Sequence, residues 1–186
     1  DVDFPVAKVL RGIEEADKVG LNPIKVNMVV KKGINDNAVL EMCRYFKGTG
    51  HILRFIEFMD VGSTNGWKLE HVVPSKDLVN KINKQLPIVP VLANYGGEVA
   101  QRWEYVDGKG EIGFISSVTQ AFCEGCTRAR LSADGKLYTC LFANTGFDLK
   151  TIIRGKLSDE EISDQISVVW GNRNDRYSEI RSLNTS

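Results

Sequence analysis

The sequence has no excess of charge of either sign and no long apolar run. Lysine plus arginine and aspartate plus glutamate each number 24 among 186 residues, so the formal net charge is zero. Proteins that bind nucleic acid through their overall charge normally carry a basic excess, so we expect no nucleic-acid partner. No stretch approaches the ~20 apolar residues of a membrane-spanning helix, so we expect no membrane partner. Hydrophobic residues at 42% and charged residues at 26% are typical of a globular chain.

Cysteine and histidine are also scarce, and most of the cysteines lie together. The chain has four cysteines and two histidines. Three of the cysteines fall in one stretch, as Cys123-x-x-Cys126 followed by Cys140. A C-x-x-C turn brings two thiolates within reach of one metal centre, and a third must then arrive from elsewhere. Short strands predicted at 128–131 and 136–140, with a reversal between them, would return Cys140 to the pair.

That stretch contains no fourth cysteine and no histidine. Structural zinc normally has four protein ligands, whereas three ligands leave one position open, and three thiolates around an iron–sulfur cube leave one iron free. The sequence therefore predicts an open, three-cysteine metal site. Because spacing alone does not settle connectivity, two alternatives stay open: a zinc knuckle completed by Cys43 or a histidine, and a disulfide. Cys43 lies in a predicted helix and is typical of a small core residue.

Two arginines follow the C-x-x-C pair in phase with its second cysteine. If the chain is extended from Cys126 onward, then Arg128 and Arg130 point to the same side as Cys126. Guanidinium groups suit phosphate oxygens because their planar forks can donate two hydrogen bonds at once. We therefore expect a phosphorylated ligand that touches the metal. The alternative is that both arginines are solvated strand residues.

Residues 1–60 are predicted as helix, strand, helix, strand. In the first strand, Lys25 and Asn27 lie opposite an apolar face. They indicate either an edge strand with one solvent-exposed face or a cleft in which the charged side chain of Lys25 binds a phosphate. In the second strand, Arg54 is predicted either to pair with Glu57 or to bind an anion, because a charge inside an apolar strand is costly unless it is paired or used.

Short strands separated by turns are predicted in the next part of the chain: 88–92, 101–106 and 111–116. They are typical of an antiparallel unit that leads into the cysteine stretch. Beyond that stretch, Asp148 and a capping box from Ser158 to Glu161 predict two helices, and the polar ending from residue 171 is not expected to be ordered alone. Two parallel strands cannot close a core, and a complete (β/α) barrel needs about 250 residues. We therefore expect the chain to be the carboxyl-terminal part of a longer protein.

Three segments resemble one enzyme family: IKVNMVVKKGIND at 24–36, RFIEFMDVG at 54–62 and FCEGCTRARLSADGKLYTCLF at 122–142. They are similar to the second half of the MoaA family, the GTP 3′,8-cyclases that begin molybdenum cofactor biosynthesis. The resemblance implies a radical S-adenosylmethionine lyase with two [4Fe–4S] clusters. It also implies an α/β fold class. Residues 1–62 would end an incomplete (β/α) barrel, and residues 63–186 would form a small α+β domain whose antiparallel strands carry the three-cysteine cluster site.

The resemblance assigns ligands to individual positions. A cluster with one free iron is implied at three cysteines, GTP at five residues and S-adenosylmethionine at one methionine. These positions are Cys123, Cys126 and Cys140 for the [4Fe–4S] cluster, Lys25, Arg54, Arg128, Ala129 and Arg130 for GTP, and Met59 for S-adenosylmethionine. In the family, a 5′-deoxyadenosyl radical removes the ribose 3′ hydrogen, and the sugar radical closes onto C8 of the purine. The product is (8S)-3′,8-cyclo-7,8-dihydroguanosine 5′-triphosphate.

The sequence departs from the family pattern in two respects. Thr127 and Ala129 stand where Asn and Leu are common, and neither the C-x-x-x-C-x-x-C motif of the first cluster nor a glycine-ended tail is present. We therefore expect S-adenosylmethionine and the second cluster to depend on a missing amino-terminal half, and this chain alone to be inactive. The partners implied are GTP, a downstream cyclic pyranopterin monophosphate synthase and a second copy in a homodimer. The compartment implied is the bacterial cytoplasm, or the mitochondrion in a eukaryote.

Two other functions are alternatives. One is another radical S-adenosylmethionine protein whose auxiliary cluster serves a different substrate; Arg128 and Arg130 argue against it, because they favour a ligand with phosphates. The other is a zinc-stabilised binding module without chemistry. The bound metal distinguishes this zinc-stabilised module from the cyclase, which would bind an iron–sulfur cluster.

Overall fold

The computed structural model describes residues 4–61, 66–176 and 179. The chain divides into two compact units: Asp1–Asp60 with Gly66–Gln120, and Val61–Asn65 with Ala121–Ser186. We call the first the sheet unit and the second the cysteine unit.

The sheet unit alternates helices and strands and then ends in three consecutive strands. In chain order its elements are α1 (Val6–Lys18), β1 (Lys25–Val30), α2 (Val39–Phe46), β2 (Ile52–Glu57), a 3-10 turn (Leu69–His71), α3 (Ser75–Asn83), β3 (Ile88–Pro90), β4 (Gln101–Tyr105) and β5 (Glu111–Ile115). The predicted order of helix, strand, helix, strand at the start of the chain is confirmed.

The five strands of this unit form one mixed sheet in the order β1-β2-β5-β4-β3. β1, β2 and β5 are parallel neighbours, whereas β4 is antiparallel to both β5 and β3. The predicted antiparallel arrangement of the short strands is confirmed for β3, β4 and β5, but these strands also join the parallel strands. β5 pairs with β2, with Leu53 opposite Ile112 and Phe55 opposite Phe114. The late strands complete the sheet that β1 and β2 begin.

One face of the sheet carries the hydrophobic core, with α2 and α3 against it. Its buried residues alternate along each strand, as the two-residue period of a strand requires. They are Val30, Val39, Cys43, Phe46, Leu53, Phe55, Leu78, Ile82, Ile88, Tyr105, Ile112 and Phe114. Cys43 is thus a core residue, as predicted, and burial raises the pKa of its thiol to about 11.

The opposite face of the sheet carries polar side chains in register. Asn27 lies beside Arg54, Arg54 beside Gly113, and Gly113 beside Arg102, so the row crosses four strands. A Cβ at Gly113 would lie 3.0 Å from Cγ of Arg54. The glycine therefore leaves room for the arginine side chain to lie across the sheet. The prediction that Lys25 and Asn27 lie opposite the apolar residues of β1 is confirmed by their exposure.

The cysteine unit has a small antiparallel sheet and two helices among its described residues. They are β6 (Arg130–Leu131), β7 (Lys136–Tyr138), β8 (Phe147–Asp148), α4 (Leu149–Ile153) and α5 (Asp159–Gly171). The β6-β7 hairpin reverses at Gly135, which has a φ of +83° and no space for a Cβ, since that atom would lie 2.5 Å from Cβ of Lys150. Asp148 caps α4, and Ser158 and Glu161 form the predicted capping box of α5.

The division of the chain at residue 62 stays a prediction. The compact units follow the sheet: because β5 pairs with β2, residues 66–120 group with the strands that precede them. No helix in the described ranges is long and apolar enough to cross a membrane.

Candidate metal centre and anion site

The C-x-x-C segment forms a turn ahead of β6. The amide of Cys126 donates to the carbonyl oxygen of Cys123 at 3.2 Å, and both thiols are free and half-buried. Cys140 is also free and half-buried, and its sulfur accepts a hydrogen bond from the amide of Phe142 at 3.4 Å. The hairpin is shorter than predicted, because β7 ends at Tyr138. Cys140 therefore lies beyond the paired strands, in the turn that follows them.

The three thiols fit an iron–sulfur cluster in their chemistry. No group of three or more His, Cys, Asp or Glu side chains in residues 4–61, 66–176 and 179 is placed to hold a metal ion. The three-cysteine ligand set therefore stays a prediction. Free thiols are the donors that such a cluster needs, and two of them already accept hydrogen bonds at sulfur, Cys126 from Arg128 at 3.1 Å and Cys140 from a backbone amide. The disulfide alternative has no support, because all four cysteines are free.

Arg128 and Arg130 have the exposure pattern expected of an extended chain. Both are half-buried like Cys126, whereas the residues between and after them, Thr127, Ala129 and Leu131, are exposed. The regular strand begins only at Arg130. The guanidinium carbon of Arg128 lies 4.9 Å from the centroid of the Phe122 ring. This stacking, together with the bond to the Cys126 sulfur, holds the Arg128 side chain beside the cysteine turn.

One nitrogen of each arginine is buried and has no hydrogen-bond partner among the described residues. These atoms are Nη1 of Arg128 and Nη1 of Arg130. Buried polar groups in proteins normally have partners, so two unpartnered donors need an explanation. Both donors are cationic, and guanidinium groups bind phosphate and carboxylate oxygens through charge-assisted hydrogen bonds. The arrangement can therefore accept an anion beside the cysteine turn.

The environment of Cys126 favours its thiolate. Burial acts to raise the pKa of the thiol, but a hydrogen bond from the Arg128 backbone and the charges of Arg128 and Arg173 outweigh it, so the pKa lies below its ordinary value. The thiolate is the form of cysteine that binds metals. The two arginines thus favour the protonation state that ligation requires.

Sequence reasoning missed the segment that follows α5. Arg173 donates to the carbonyl oxygens of Cys126 and Cys123, the latter at 3.4 Å. The sequence predicts that the polar ending is not ordered alone. Of its described residues, Arg173, Asp175 and Glu179 contact the cysteine stretch, and residues 177, 178 and 180–186 lie outside the described ranges. No hydrophobic period marks this segment, but it carries opposite charges close together, among them Arg173 and Asp175, and these were a signal that could have been used.

The sheet unit positions three further candidates. Lys25 is the first residue of β1 and is exposed. Arg54 donates through Nε to Oδ1 of Asn27 at 2.8 Å. The predicted Arg54–Glu57 pair is wrong, because residues three apart on a strand point to opposite faces. Met59 follows β2 at its carboxyl end, which is where ligands bind in sheets with parallel strands.

Glu57 is fully buried and has a different set of partners. Its carboxylate accepts hydrogen bonds from the amides of Ser75, Val118 and Thr119, each at 2.8 Å, and from the Thr119 hydroxyl at 2.6 Å. A buried charge needs this degree of hydrogen bonding. Glu57 thereby joins the end of β2 to the start of α3 and to the segment after β5. A lone acidic residue in an apolar strand was the signal that could have indicated this role.

The predicted site residues fall in both units. Those of the cysteine unit are Cys123, Cys126, Arg128, Ala129, Arg130 and Cys140, and those of the sheet unit are Lys25, Arg54 and Met59. Within each unit the structure brings one pair of side chains into contact: Arg128 with Cys126 in the cysteine unit, and Arg54 with Asn27 in the sheet unit.

Comparisons with known proteins give a consistent result. A family model described as Molybdenum Cofactor Synthesis C matches residues 51–179. A GTP 3′,8-cyclase of Xanthomonas axonopodis is 50% identical over 177 residues, which cover 95% of this chain and 52% of that protein. A GTP 3′,8-cyclase of Acidothermus cellulolyticus is 46% identical over 189 residues, which cover 100% of this chain and 52% of that protein. A GTP 3′,8-cyclase of Staphylococcus epidermidis is 44% identical over 184 residues, which cover 98% of this chain and 54% of that protein. The chain spans about half the length of the curated relatives it matches.

Proposed function

Because the chain belongs to the Molybdenum Cofactor Synthesis C family, we propose that it functions as part of a GTP 3′,8-cyclase. The resemblance that its three motifs predicted is confirmed, since the relatives at 44% to 50% identity carry that name. The reaction proposed is the radical S-adenosylmethionine-dependent conversion of GTP to (8S)-3′,8-cyclo-7,8-dihydroguanosine 5′-triphosphate. The observation that carries this proposal is that Arg128, beside the C-x-x-C turn, and Arg130 each have a buried guanidinium nitrogen with no acceptor among the described residues.

Cys123, Cys126 and Cys140 would hold a [4Fe–4S] cluster. Three thiolates would leave one iron without a protein ligand, and the cluster would then offer that coordination position to the guanine of GTP. The chain would contribute the three sulfurs and the donors that contact those of Cys126 and Cys140. Arg128 donates to the Cys126 sulfur at 3.1 Å, and the lowered pKa of Cys126 keeps it ready to ligate.

Arg128 and Arg130 would bind the triphosphate of GTP. Nη2 of Arg128 is already bonded to the Cys126 sulfur, which leaves Nη1 for a phosphate oxygen. Arg130 offers its own buried Nη1. Ala129 lies between them in the sequence and is exposed, so we propose that it would take part in the GTP site through its backbone rather than its side chain. A phosphate here would satisfy two donors that otherwise have no acceptor.

Residues of the sheet unit complete the proposal. Lys25 and Arg54 share the polar face of the sheet and supply two further cations for the substrate. Met59 would contact S-adenosylmethionine, which together with a second [4Fe–4S] cluster would depend on residues outside this sequence. We propose that this sheet is the end of an incomplete (β/α) barrel whose polar face is the interior. The homodimer and the downstream synthase remain predictions of the resemblance.

Anaerobic reconstitution of the 186-residue chain with iron and sulfide tests the cluster. The expected uptake is about four irons and four sulfides per chain, with loss of both on Cys126→Ala. Cys43→Ala is the matched control, because Cys43 lies in the core of the sheet unit. Uptake of one zinc and no sulfide would instead support the zinc-stabilised binding module.

A GTP titration of the reconstituted chain, followed by electron paramagnetic resonance of the cluster, tests the arginines. Arg128→Ala and Arg130→Ala should each weaken GTP binding about tenfold or more, because a hydrogen bond to a charged group contributes about 1.5–3 kcal/mol. Arg154→Ala is the control, since Arg154 is exposed on the same unit. Equal affinities in all three variants would remove the phosphate assignment.

A further inference from the structure

The segment after α5 contacts both stretches that carry the predicted cluster ligands. Arg173 donates through Nη1 to the carbonyl oxygen of Cys126 and through Nη2 to that of Cys123, the latter at 3.4 Å. One guanidinium fork therefore holds both ends of the C-x-x-C turn. These two contacts are made to backbone oxygens, so both are compatible with ligation of the two thiols. The Arg173 side chain also hydrogen-bonds to the Cys126 thiol.

Asp175 extends the same contacts to the third cysteine. Its Oδ2 accepts a hydrogen bond from the hydroxyl of Thr139 at 2.5 Å, and Thr139 immediately precedes Cys140. The same oxygen lies 3.9 Å from Nε of Arg173. A continuous path of polar contacts thus runs from the C-x-x-C turn through Arg173 and Asp175 to the residue beside Cys140.

This path of polar contacts reaches residues that lie beyond the end of the β6-β7 hairpin. β7 ends at Tyr138, so no strand pairing fixes Thr139 or Cys140. The side chain of Arg173 is only 13% exposed, and its guanidinium carbon lies 4.9 Å from the centroid of the Trp170 ring. A guanidinium that is packed in this way has few alternative positions, which makes it a firm anchor for the two carbonyl oxygens.

We propose that Arg173 and Asp175 are positioning residues that hold the two cysteine stretches for ligation, and that the guanidinium of Arg173 places a fixed positive charge beside the cluster. This inference rests on the proposed function, because it concerns the same three cysteines. Residues that orient the ligands of a metal, without binding the metal themselves, affect how tightly the metal is held. Nearby charges and hydrogen bonds also affect the reduction potential of an iron–sulfur cluster. Arg173 supplies both effects.

Four versions of the anaerobically reconstituted 186-residue chain test the proposal: unsubstituted, Arg173→Met, Arg173→Lys and the control Arg154→Met. The measurements are the rate at which a chelator removes iron and the midpoint potential of the cluster. Arg173→Met should release iron at least tenfold faster and shift the potential to more negative values, because a positive charge stabilises the reduced cluster. Arg173→Lys should keep the potential but release iron faster, because an ammonium group cannot span two carbonyl oxygens as a fork does. Arg154→Met should match the unsubstituted chain.

The outcomes separate this inference from the proposed function. If the unsubstituted chain takes up no iron and sulfide, the cluster itself is wrong. If it does, and Arg173→Met matches Arg154→Met in both measurements, only the positioning role is overturned. If far-ultraviolet circular dichroism shows that Arg173→Met does not fold, Arg173→Lys decides: faster iron release at an unchanged potential supports the role, and unchanged release overturns it.

Discussion

Glu57 is an acidic side chain buried inside the sheet unit and held by hydrogen bonds from described residues. Its carboxylate is fully buried, and four hydrogen bonds from three residues satisfy it. A buried carboxylate that lacks such donors costs several kcal/mol. The donors come from the start of α3 and from the segment after β5, so one side chain fixes the positions of two separate pieces of backbone. The segment after β5 leads toward the cysteine stretch in the sequence.

We predict that Glu57→Gln destabilises the protein by about 2–5 kcal/mol. An amide has one acceptor oxygen, and its NH₂ group would face backbone donors, so buried N–H groups lose their partners. Urea unfolding of the variant and the unsubstituted chain measures the difference. Glu104→Gln is the matched control, because Glu104 is exposed on β4 and should change stability by less than about 0.5 kcal/mol. Equal losses in both variants would contradict the role given to Glu57.

Elements with local signals were predicted well from the sequence. The capping box of α5, the Asp148 cap of α4 and the reversal at Gly135 all depend on residues within four positions of one another, and each is present. The hairpin strands came out shorter than predicted, because alternation in the sequence continues to Arg128 although strand pairing begins only at Arg130. Periodicity reports which way side chains point, whereas pairing also requires a partner strand.

We predict that Ser158→Ala destabilises the first turn of α5 by about 1 kcal/mol. The Ser158 hydroxyl accepts from the Glu161 amide, and the Glu161 carboxylate accepts from the Ser158 amide. Hydrogen exchange of the amides at the start of α5 should be faster in the variant. Ser163→Ala, at an exposed position in the middle of α5, is the control and should not speed exchange, because alanine favours helix.

The same box predicts a pH dependence. Hydrogen bonds from the Ser158 amide and hydroxyl lower the pKa of Glu161 below its ordinary value. A carboxyl group with a lowered folded-state pKa stabilises the fold above its ordinary pKa, and the effect is lost as the pH falls through the folded-state value. The difference in exchange between Ser158→Ala and the unsubstituted chain should therefore be full at neutral pH and shrink in acid. A difference that stays constant down to pH ~2, below the ordinary range of carboxyl pKa values, would contradict the contribution of Glu161.

At the scale of the whole molecule, long-range pairing is what the sequence did not reveal. The order of helices and strands and the polar face of β1 were predictable from alternation, but the pairing of β2 with β5 joins residues far apart in the chain and has no local signal. The contact of Arg54 with Asn27 rather than Glu57 follows from the register of β1 and β2, which periodicity alone does not give. The contacts of Arg173 with the cysteine turn were missed for the same reason.

The continuity of the five-stranded sheet makes a last prediction about cooperativity. Phe114 lies on β5 at the centre of the sheet, with its ring centroid 5.9 Å from that of Phe55 and 6.3 Å from that of Trp103. Phe114→Ala should cost about 3–5 kcal/mol, because it leaves a cavity among large side chains. Since β5 pairs with both β2 and β4, the amides of β1, β2 and β4 should lose protection from hydrogen exchange together.

A division of the chain at residue 62 predicts the opposite pattern, in which β1 and β2 keep their protection while β4 and β5 lose it. Val89→Ala is the control for Phe114→Ala, because Val89 lies on the edge strand β3 and is 46% exposed. This truncation should change stability little, as it leaves no buried cavity. If Phe114→Ala loses protection across the whole sheet and Val89→Ala does not, residues on both sides of position 62 unfold as one unit. Such cooperativity would mean that the strands contributing Lys25 and Arg54 depend for their stability on the later strands of the same sheet.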